Sequence, residues 1–307
     1  MAGIVTLTLN PTVDLAVSTQ RVRPDDKLRC SAPQRDPGGG GVNVARAASR
    51  LGADALAVIP VGGPSGQQLR HLLDAEELPM ATIDITGETR ASWTVDEAAT
   101  GDQYRFVLPG PWLSEDEVDA CLAAVGEHAE TLVVASGSIP PGGSEDTFAR
   151  LVEDGARSGC RTIVDTSGRA LRAAVDAGAW LVKPNLRELS QLVDRAIEHD
   201  SEIHAAALQL LGGGTQAIVV SMGAGGVMLV TRDRVEHVRS PTVPIRSRVG
   251  AGDSAVAGIA TSLLRGDELL TAVRWGVAAG AAAVMTEGSE LCHAEDAERL
   301  FTELDIS

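Results

Sequence analysis

Lysine is nearly missing from this sequence. Of 26 basic residues only Lys27 and Lys183 are lysines, and 42 acidic residues leave a formal net charge of −16. Such a chain lacks the basic surface that nucleic acid demands, so no nucleic-acid partner is expected. An anionic small molecule would need a local positive pocket, which makes the placement of each base informative. Cysteine is sparse as well: Cys30, Cys121, Cys160 and Cys292 stand far apart, without a CxxC or Cys/His metal spacing. They are expected as reduced, mostly structural thiols and not as zinc ligands. No run of 18 apolar residues occurs, which argues against a transmembrane helix and a membrane partner. The opening MAGIVTLTLNPTVD has neither a basic start nor a long apolar stretch, so a cytoplasmic protein is expected. GxxxxGK(S/T) and the VAIK, HRD and DFG set are absent too. A bound nucleotide would therefore use neither a P-loop nor a protein-kinase cleft.

What is present is 44% apolar residues over 307 positions, enough for a large core in one domain spanning 1–307. Short β-branched runs at 4–9, 55–61, 131–135, 162–164, 180–182 and 217–221 read as buried strands. Between them, 42–51, 115–125, 145–156 and 203–211 space their apolar residues helically; the first puts Val44, Ala47, Ala48 and Leu51 on one face. This alternation predicts an α/β fold with a central, mostly parallel sheet flanked by helices. Two stretches, 14–35 and 89–108, break the rhythm. Their alternating segments, such as 91–95 and 103–107, predict a small β-sheet inserted as a lid. The Ala- and Gly-rich stretch 253–286 suggests two closely packed helices.

VGAGDS, at 249–254, carries the most chemistry. Gly250 and Gly252 let the backbone turn sharply, and the amides at the head of the next helix converge on an anion, Ala251 among them. Asp253 sits beside that point, where a carboxylate can take a proton from an attacking hydroxyl. Phosphoryl transfer needs little more than such positioning and charge stabilisation. The same residues also read as an ordinary cap by Asp253 between turn glycines. In PGGGGVNVARA, at 37–47, Gly38 and Gly39 let a ligand touch backbone and Asn43 can bond a sugar hydroxyl. A flexible loop is the plainer alternative. A dinucleotide turn is a weak one, since Val44 stands where the third glycine belongs.

KPNLREL, at 183–189, sets Asn185 and Glu188 three apart, facing one way on a helical turn. An amide and a carboxylate suit the water shell of Mg²⁺, and Asp165 in VDTSG ends a strand at the same sheet edge. A proline-initiated helix, with Asp165 as another helix cap, is the alternative. SMGAGGV, at 221–227, can carry nucleotide phosphates on the amides around Ser221, Gly223, Gly225 and Gly226, or be a plain hairpin turn. Ser138, in SGSIPPG, follows a strand C-terminus, where ligands bind in open α/β sheets; a proline-fixed turn is the other reading.

Singly these motifs are modest, but their order is specific. NPTVD, GGGGVNVA, SGSIPPG, DTSG, KPNLREL, SMGAGG and VGAGDS follow one another in a way that resembles the ribokinase-like PfkB carbohydrate kinase family from end to end. KLRC at 27–30, QYRFVLPG at 103–110, RWGVAAGAAA at 274–283 and the four-glycine loop are most similar to its bacterial minor-type 6-phosphofructokinase branch. The resemblance implies ATP and Mg²⁺ as cofactors and fructose 6-phosphate as acceptor. Tagatose 6-phosphate, fructose 1-phosphate, another sugar or a nucleoside compete within the family. A non-catalytic nucleotide or metabolite sensor competes outside it.

Roles follow from the same resemblance. Asp14, Gly38, Gly39 and Asn43 would bind sugar hydroxyls, while Lys27, Arg90 and Arg105 would hold the 6-phosphate. Asp253 would deprotonate the attacking hydroxyl, with the amides of Gly250, Ala251, Gly252 and Asp253 as the anion hole. Lys183 and Asn185, with Ser221 to Gly226, would meet the nucleotide. The lids of two subunits would pair into a homodimer. A K⁺ site would use backbone oxygens near Ser247, Val249, Ala283 and Gly288, although Thr286 and Glu290 depart from the expected pattern. Arg248 departs as well, since relatives carry a small hydroxyl residue there.

Overall fold

A computed structural model describes residues 3–128, 132–197, 199–288 and 290–306. The first strand, β1 (Ile4–Leu7), is buried throughout, as a strand covered on both faces must be. β2 (Thr12–Thr19) alternates instead: Val13, Leu15 and Val17 are buried, while Asp14, Ala16 and Ser18 are more open. β3 (Gln34–Gly38) leads into α1 (Gly40–Arg50), followed by β4 (Ala55–Val61), α2 (Gly63–Ala75) and β5 (Met80–Asp84). Next come β6 (Arg90–Glu97), β7 (Gln103–Val107), α3 (Glu115–His128), β8 (Leu132–Ser136) and α4 (Thr147–Ser158). The middle of the chain adds β9 (Arg161–Asp165), α5 (Gly168–Asp176), β10 (Leu181–Val182), α6 (Leu186–Leu192) and α7 (Asp200–Leu210). β11 (Ala217–Ser221), β12 (Val227–Val230) and β13 (Val235–Val238) precede α8 (Ala251–Leu264), α9 (Leu269–Ala283) and α10 (Ala294–Ile306).

Nine strands form the large sheet, ordered β13-β12-β11-β10-β9-β8-β1-β4-β5, and only the β12 and β13 edge runs antiparallel. Helices cover both faces. One core lies under α1, α8 and α9, the other under α3, α4, α5 and α7. The expected mostly parallel α/β arrangement is therefore present. Thr131, expected at the head of the strand 131–135, lies outside the described residues. The sequence reading missed α2, whose GPSG start resembles a loop, together with α10 and the edge strands β5 and β13.

The four remaining strands form the separate small sheet, ordered β3-β2-β6-β7. Its bounds differ from the expected 14–35 and 89–108. β2 starts at Thr12 and β3 reaches Gly38, because Thr12 and Gly38 still pair. β2 and β6 run parallel from Thr12↔Arg90 to Thr19↔Glu97. The predicted close contact of two small-residue helices is α8 against α9. A Cβ on Gly258 would stand 2.6 Å from the Trp275 carbonyl oxygen, and one on Gly276 2.8 Å from that of Ala255.

Candidate active site

The head of α8 resolves the ambiguity of VGAGDS. Gly250 caps the helix in a left-handed conformation, φ 75°, with no side-chain capping bond. Asp253 therefore lies in the first turn and its carboxylate is not spent on the cap. Asn43 Nδ2 donates to Asp253 Oδ2 at 2.9 Å. Arg46, which the sequence reading did not single out, fixes that amide: its Nη1 donates to Asn43 Oδ1 at 3.4 Å and to the Pro37 carbonyl at 2.9 Å. Glu76 in turn holds Arg46 through Nε at 2.8 Å. Burial pushes the Asp253 carboxyl up to about 6, with Asn43 pulling it back and Asp165 adding to the rise. A carboxylate in that range is suited to accept a proton near neutrality.

Asp253 forms the floor of a cleft of about 280 Å³ roofed by the small sheet. The sheet register explains which side chains enter it. Asp14 stands opposite Ser92, and Thr94 opposite Arg105, so all four share one face. Ser92, Thr94 and Val107 also line the cleft; the alternation of 91–95 and 103–107 was the only sequence signal for them. Burial raises Asp14 to about 6, against the pull of Arg105 and Arg90. Gly38 makes room for this carboxylate, since a Cβ there would lie 2.2 Å from Asp14 Oδ2. Gly40 and Gly41 pack equally closely on Ser136 Oγ and the Leu7 carbonyl. The glycine run is thus a close-packed wall and not a loose loop. It also leaves a strand of the small sheet, whereas a dinucleotide turn leaves a parallel strand of the main one.

Arg90 braces the base of the small sheet. Its Nη1 donates to the Leu108 carbonyl and its Nη2 to that of Asn10, both at 3.0 Å, while buried Nε has no partner. Asn10 Nδ2 donates to Ser138 Oγ at 3.0 Å, which leaves Ser138 beside the cleft and not in its lining. Lys27 is exposed on the β2–β3 connection, also outside the lining.

Beyond Asp253 opens a second cavity of about 590 Å³, bounded by β11, the turn into β12, residues 240–245 and the facing sides of α8 and α9. Val219, Val243, Ile259, Val273 and Val277 give it an apolar lining, and Ser221, Gly223 and Gly226 supply a polar edge. Such a slot suits a flat heterocycle with a polar tail. Gly225 lies just outside, its carbonyl against His237 Nε2 at 2.8 Å. Lys183 lines the cavity and pairs with Asp165 at 3.2 Å. Burial disfavours its cation, but Asp165, with Asp253 and Glu188 adding to it, holds the amine above its ordinary value.

Asn185 and Glu188 form a reciprocal cap at the head of α6, each side chain accepting the other's amide at 2.9 Å. Burial raises the Glu188 carboxyl. Among the described residues no three His, Cys, Asp or Glu side chains converge as a metal cage. Asp165 caps no helix, since Ser167 is the N-cap of α5. Near the Gly250 turn, Ser247 Oγ donates to the Gly288 carbonyl at 2.6 Å and accepts from Val249 N–H at 3.2 Å. Thr286 Oγ1 contacts the carbonyls of Ala283 at 2.8 Å and Glu290 at 2.6 Å. The structure thus gathers Asp14, Gly39, Asn43, Arg90, Arg105 and Asp253 around one cleft and Lys183, Ser221, Gly223 and Gly226 around its neighbour.

The profile of the pfkB family carbohydrate kinases matches residues 7–296. The ATP-dependent 6-phosphofructokinase isozyme 2 of Escherichia coli is 41% identical over 307 residues, covering 99% of each chain. Its counterpart from Mycobacterium tuberculosis is 43% identical over 301 residues, covering 97% of this chain and 88% of that one. Among solved structures, Escherichia coli phosphofructokinase-2 in complex with fructose-6-phosphate superposes with a TM-score of 0.94 at 40% identity, over 99% of this chain and 100% of that one. The same enzyme in complex with potassium gives 0.95 at 41% identity over the same shares.

Proposed function

This chain belongs to the pfkB family of carbohydrate kinases, and we propose that it transfers the γ-phosphoryl group of ATP to the C1 hydroxyl of fructose 6-phosphate. The products are fructose 1,6-bisphosphate and ADP. The observation that carries the choice of acceptor is the pair Arg90 and Arg105 in one cleft with Asp14, within a chain of net charge −16. An uncharged sugar would leave the two guanidinium groups with Asp14 as their one shared anion, whereas a phosphate can take the donors of Arg105 and the Arg90 N–H groups not turned to the Leu108 and Asn10 carbonyls. Relatives named ATP-dependent 6-phosphofructokinase support the same reading.

In this proposal Asp14, Gly38, Gly39 and Asn43 hold the sugar hydroxyls, and Arg90 and Arg105 hold the 6-phosphate. ATP lies in the apolar cavity with its phosphates toward the α8 N-terminus. Asp253 takes the C1 proton as the oxygen attacks phosphorus, and the amides of residues 250–253 stabilise the charge on the phosphoryl oxygens. Asp165 and Glu188, beside Lys183 and Asn185, are hard oxygen donors that would hold the water shell of Mg²⁺. Mg²⁺ would supply charge neutralisation on the nucleotide phosphates. The carbonyl-rich turn near Ser247, Val249, Ala283 and Gly288 fits K⁺, and a similar enzyme is solved with potassium.

The chain acts as one domain, 1–307, in which the small sheet is the lid. Its outward face exposes Trp93 by 40% and Phe106 by 54%, paired across β6 and β7. Two such faces meeting would cover that apolar surface and give a homodimer. No helix among the described residues is long and apolar enough to cross a membrane, in keeping with a cytoplasmic enzyme. The test is steady-state kcat/KM with MgATP across fructose 6-phosphate, tagatose 6-phosphate, fructose 1-phosphate, ribose and adenosine. Preference for fructose 6-phosphate is expected. Preference for an unphosphorylated acceptor would overturn the reading of the arginines, and no turnover at all would favour a sensor.

A further inference from the structure

Arg248 is the one described residue that lines both the sugar-side cleft and the nucleotide-side cavity. Its backbone is pinned on either side, because the buried Ser247 hydroxyl ties the Gly288 carbonyl to the Val249 amide. The side chain is exposed and, among the described residues, has no hydrogen-bond or ion-pair partner. The neighbouring cations are committed elsewhere. Lys183 pairs with Asp165 at 3.2 Å, and both terminal nitrogens of Arg90 hold backbone carbonyls. Arg105 stands on β7, at the outer edge of the small sheet and away from the nucleotide-side cavity. An uncommitted guanidinium therefore sits at the mouth between donor and acceptor, two residues before the helix N-cap that converges on an anion.

We infer that Arg248 binds the phosphoryl group in flight, as a catalytic residue for the transfer proposed above, on which this inference rests. In that transfer the bond from the γ-phosphorus to its bridging oxygen breaks and the electron pair leaves with ADP. The sugar oxygen bonds to the phosphorus, and its proton passes to the Asp253 carboxylate. Negative charge is spread over the three equatorial oxygens between the two cavities. A guanidinium fork can hold two of those oxygens while the amides of residues 250–253 face the third. A lysine at the same place would offer a point charge without the fork.

The test compares wild type with Arg248→Ala and Arg248→Lys. In Arg248→Ala, kcat is expected to fall on the order of a hundredfold, the usual loss for one transition-state donor. Both KM values should stay within about threefold, since ground-state binding is not removed. Arg248→Lys should recover only part of kcat. Calorimetry gives a second readout: ADP alone should bind Arg248→Ala as it binds wild type, while ADP with aluminium fluoride and fructose 6-phosphate should bind about tenfold more weakly or worse. An unchanged kcat, a loss confined to the KM for ATP, or unaltered aluminium fluoride binding would each overturn the assignment. The exposed position lets both variants fold, and Arg248→Lys keeps the charge should Arg248→Ala express poorly. Wild type that ignores fructose 6-phosphate but uses another acceptor overturns the acceptor assignment alone, because the variant ratio is then read with that acceptor. Wild type that turns over nothing overturns both.

Discussion

Asn43 and Asp253 are 210 residues apart in sequence, yet the Asn43 amide donates to the Asp253 carboxylate at 2.9 Å. The bond joins the glycine wall on the sugar side to the helix that faces the nucleotide, and it tunes the group proposed as base. Because a donor stabilises the charged form, the bond pulls the Asp253 pKa down against the rise from burial.

Removing the donor should therefore move the pH profile. In wild type, kcat at saturating sugar should rise with pH through about 6 as Asp253 loses its proton. Asn43→Ala should shift that limb upward by about one unit and lower kcat more at pH 6 than at pH 8. A limb that stays in place would detach Asn43 from the titration of Asp253.

Asp253→Asn should cost about a thousandfold or more in kcat with binding of both substrates little changed. The same variant should be more stable at alkaline pH. The folded-state pKa, about 6, lies above the ordinary 3.8. The protonated form is thus the one the fold favours, and its contribution is complete below the unfolded value and lost as pH rises through about 6. At pH 8 the wild type holds a largely enclosed charge that asparagine lacks. A Tm gain of about 2 °C at pH 8 is expected, absent at pH 4. Equal Tm differences at both values would contradict this.

Arg90→Ala should raise the KM for the sugar phosphate by about tenfold or more, the loss of a charge-assisted bond. Arg90→Lys should restore little, because one ammonium cannot replace a fork that spans the carbonyls of Leu108 and Asn10. A wild-type KM in Arg90→Ala would remove it from the phosphate site.

Phe106→Glu places a charge on the outward face of the small sheet, where Phe106 is 54% exposed opposite Trp93. Sedimentation should show a dimer for wild type and a monomer for the variant. A variant that sediments as wild type would move the subunit contact to another surface.

Much of this site could be read in the sequence, because its parts are local. Glycine turns at helix heads, a carboxylate beside one of them and bases within alternating strands are all visible in short windows. The unread parts depend on contacts distant in sequence. Arg46 looks like any polar residue of an amphipathic helix until Glu76 and Asn43 meet it. Asn10 gains meaning only when Ser138 and Arg90 converge on it. Asn185 and Glu188 do meet, but Asn185 stands in extended backbone as the N-cap and the pair closes the head of α6 as a reciprocal cap. Lys27 carried a phosphate-binding expectation, yet its strand connection leaves it exposed and outside the cleft lining.

The scarcity of lysine has a practical side. Lys183 is buried in its pair with Asp165, and Lys27 stands in solvent at the tip of the small sheet. An amine-selective reagent thus meets a single accessible side-chain target. A fluorophore attached there would report on the surroundings of the small sheet's tip, with no residue exchanged and no thiol introduced.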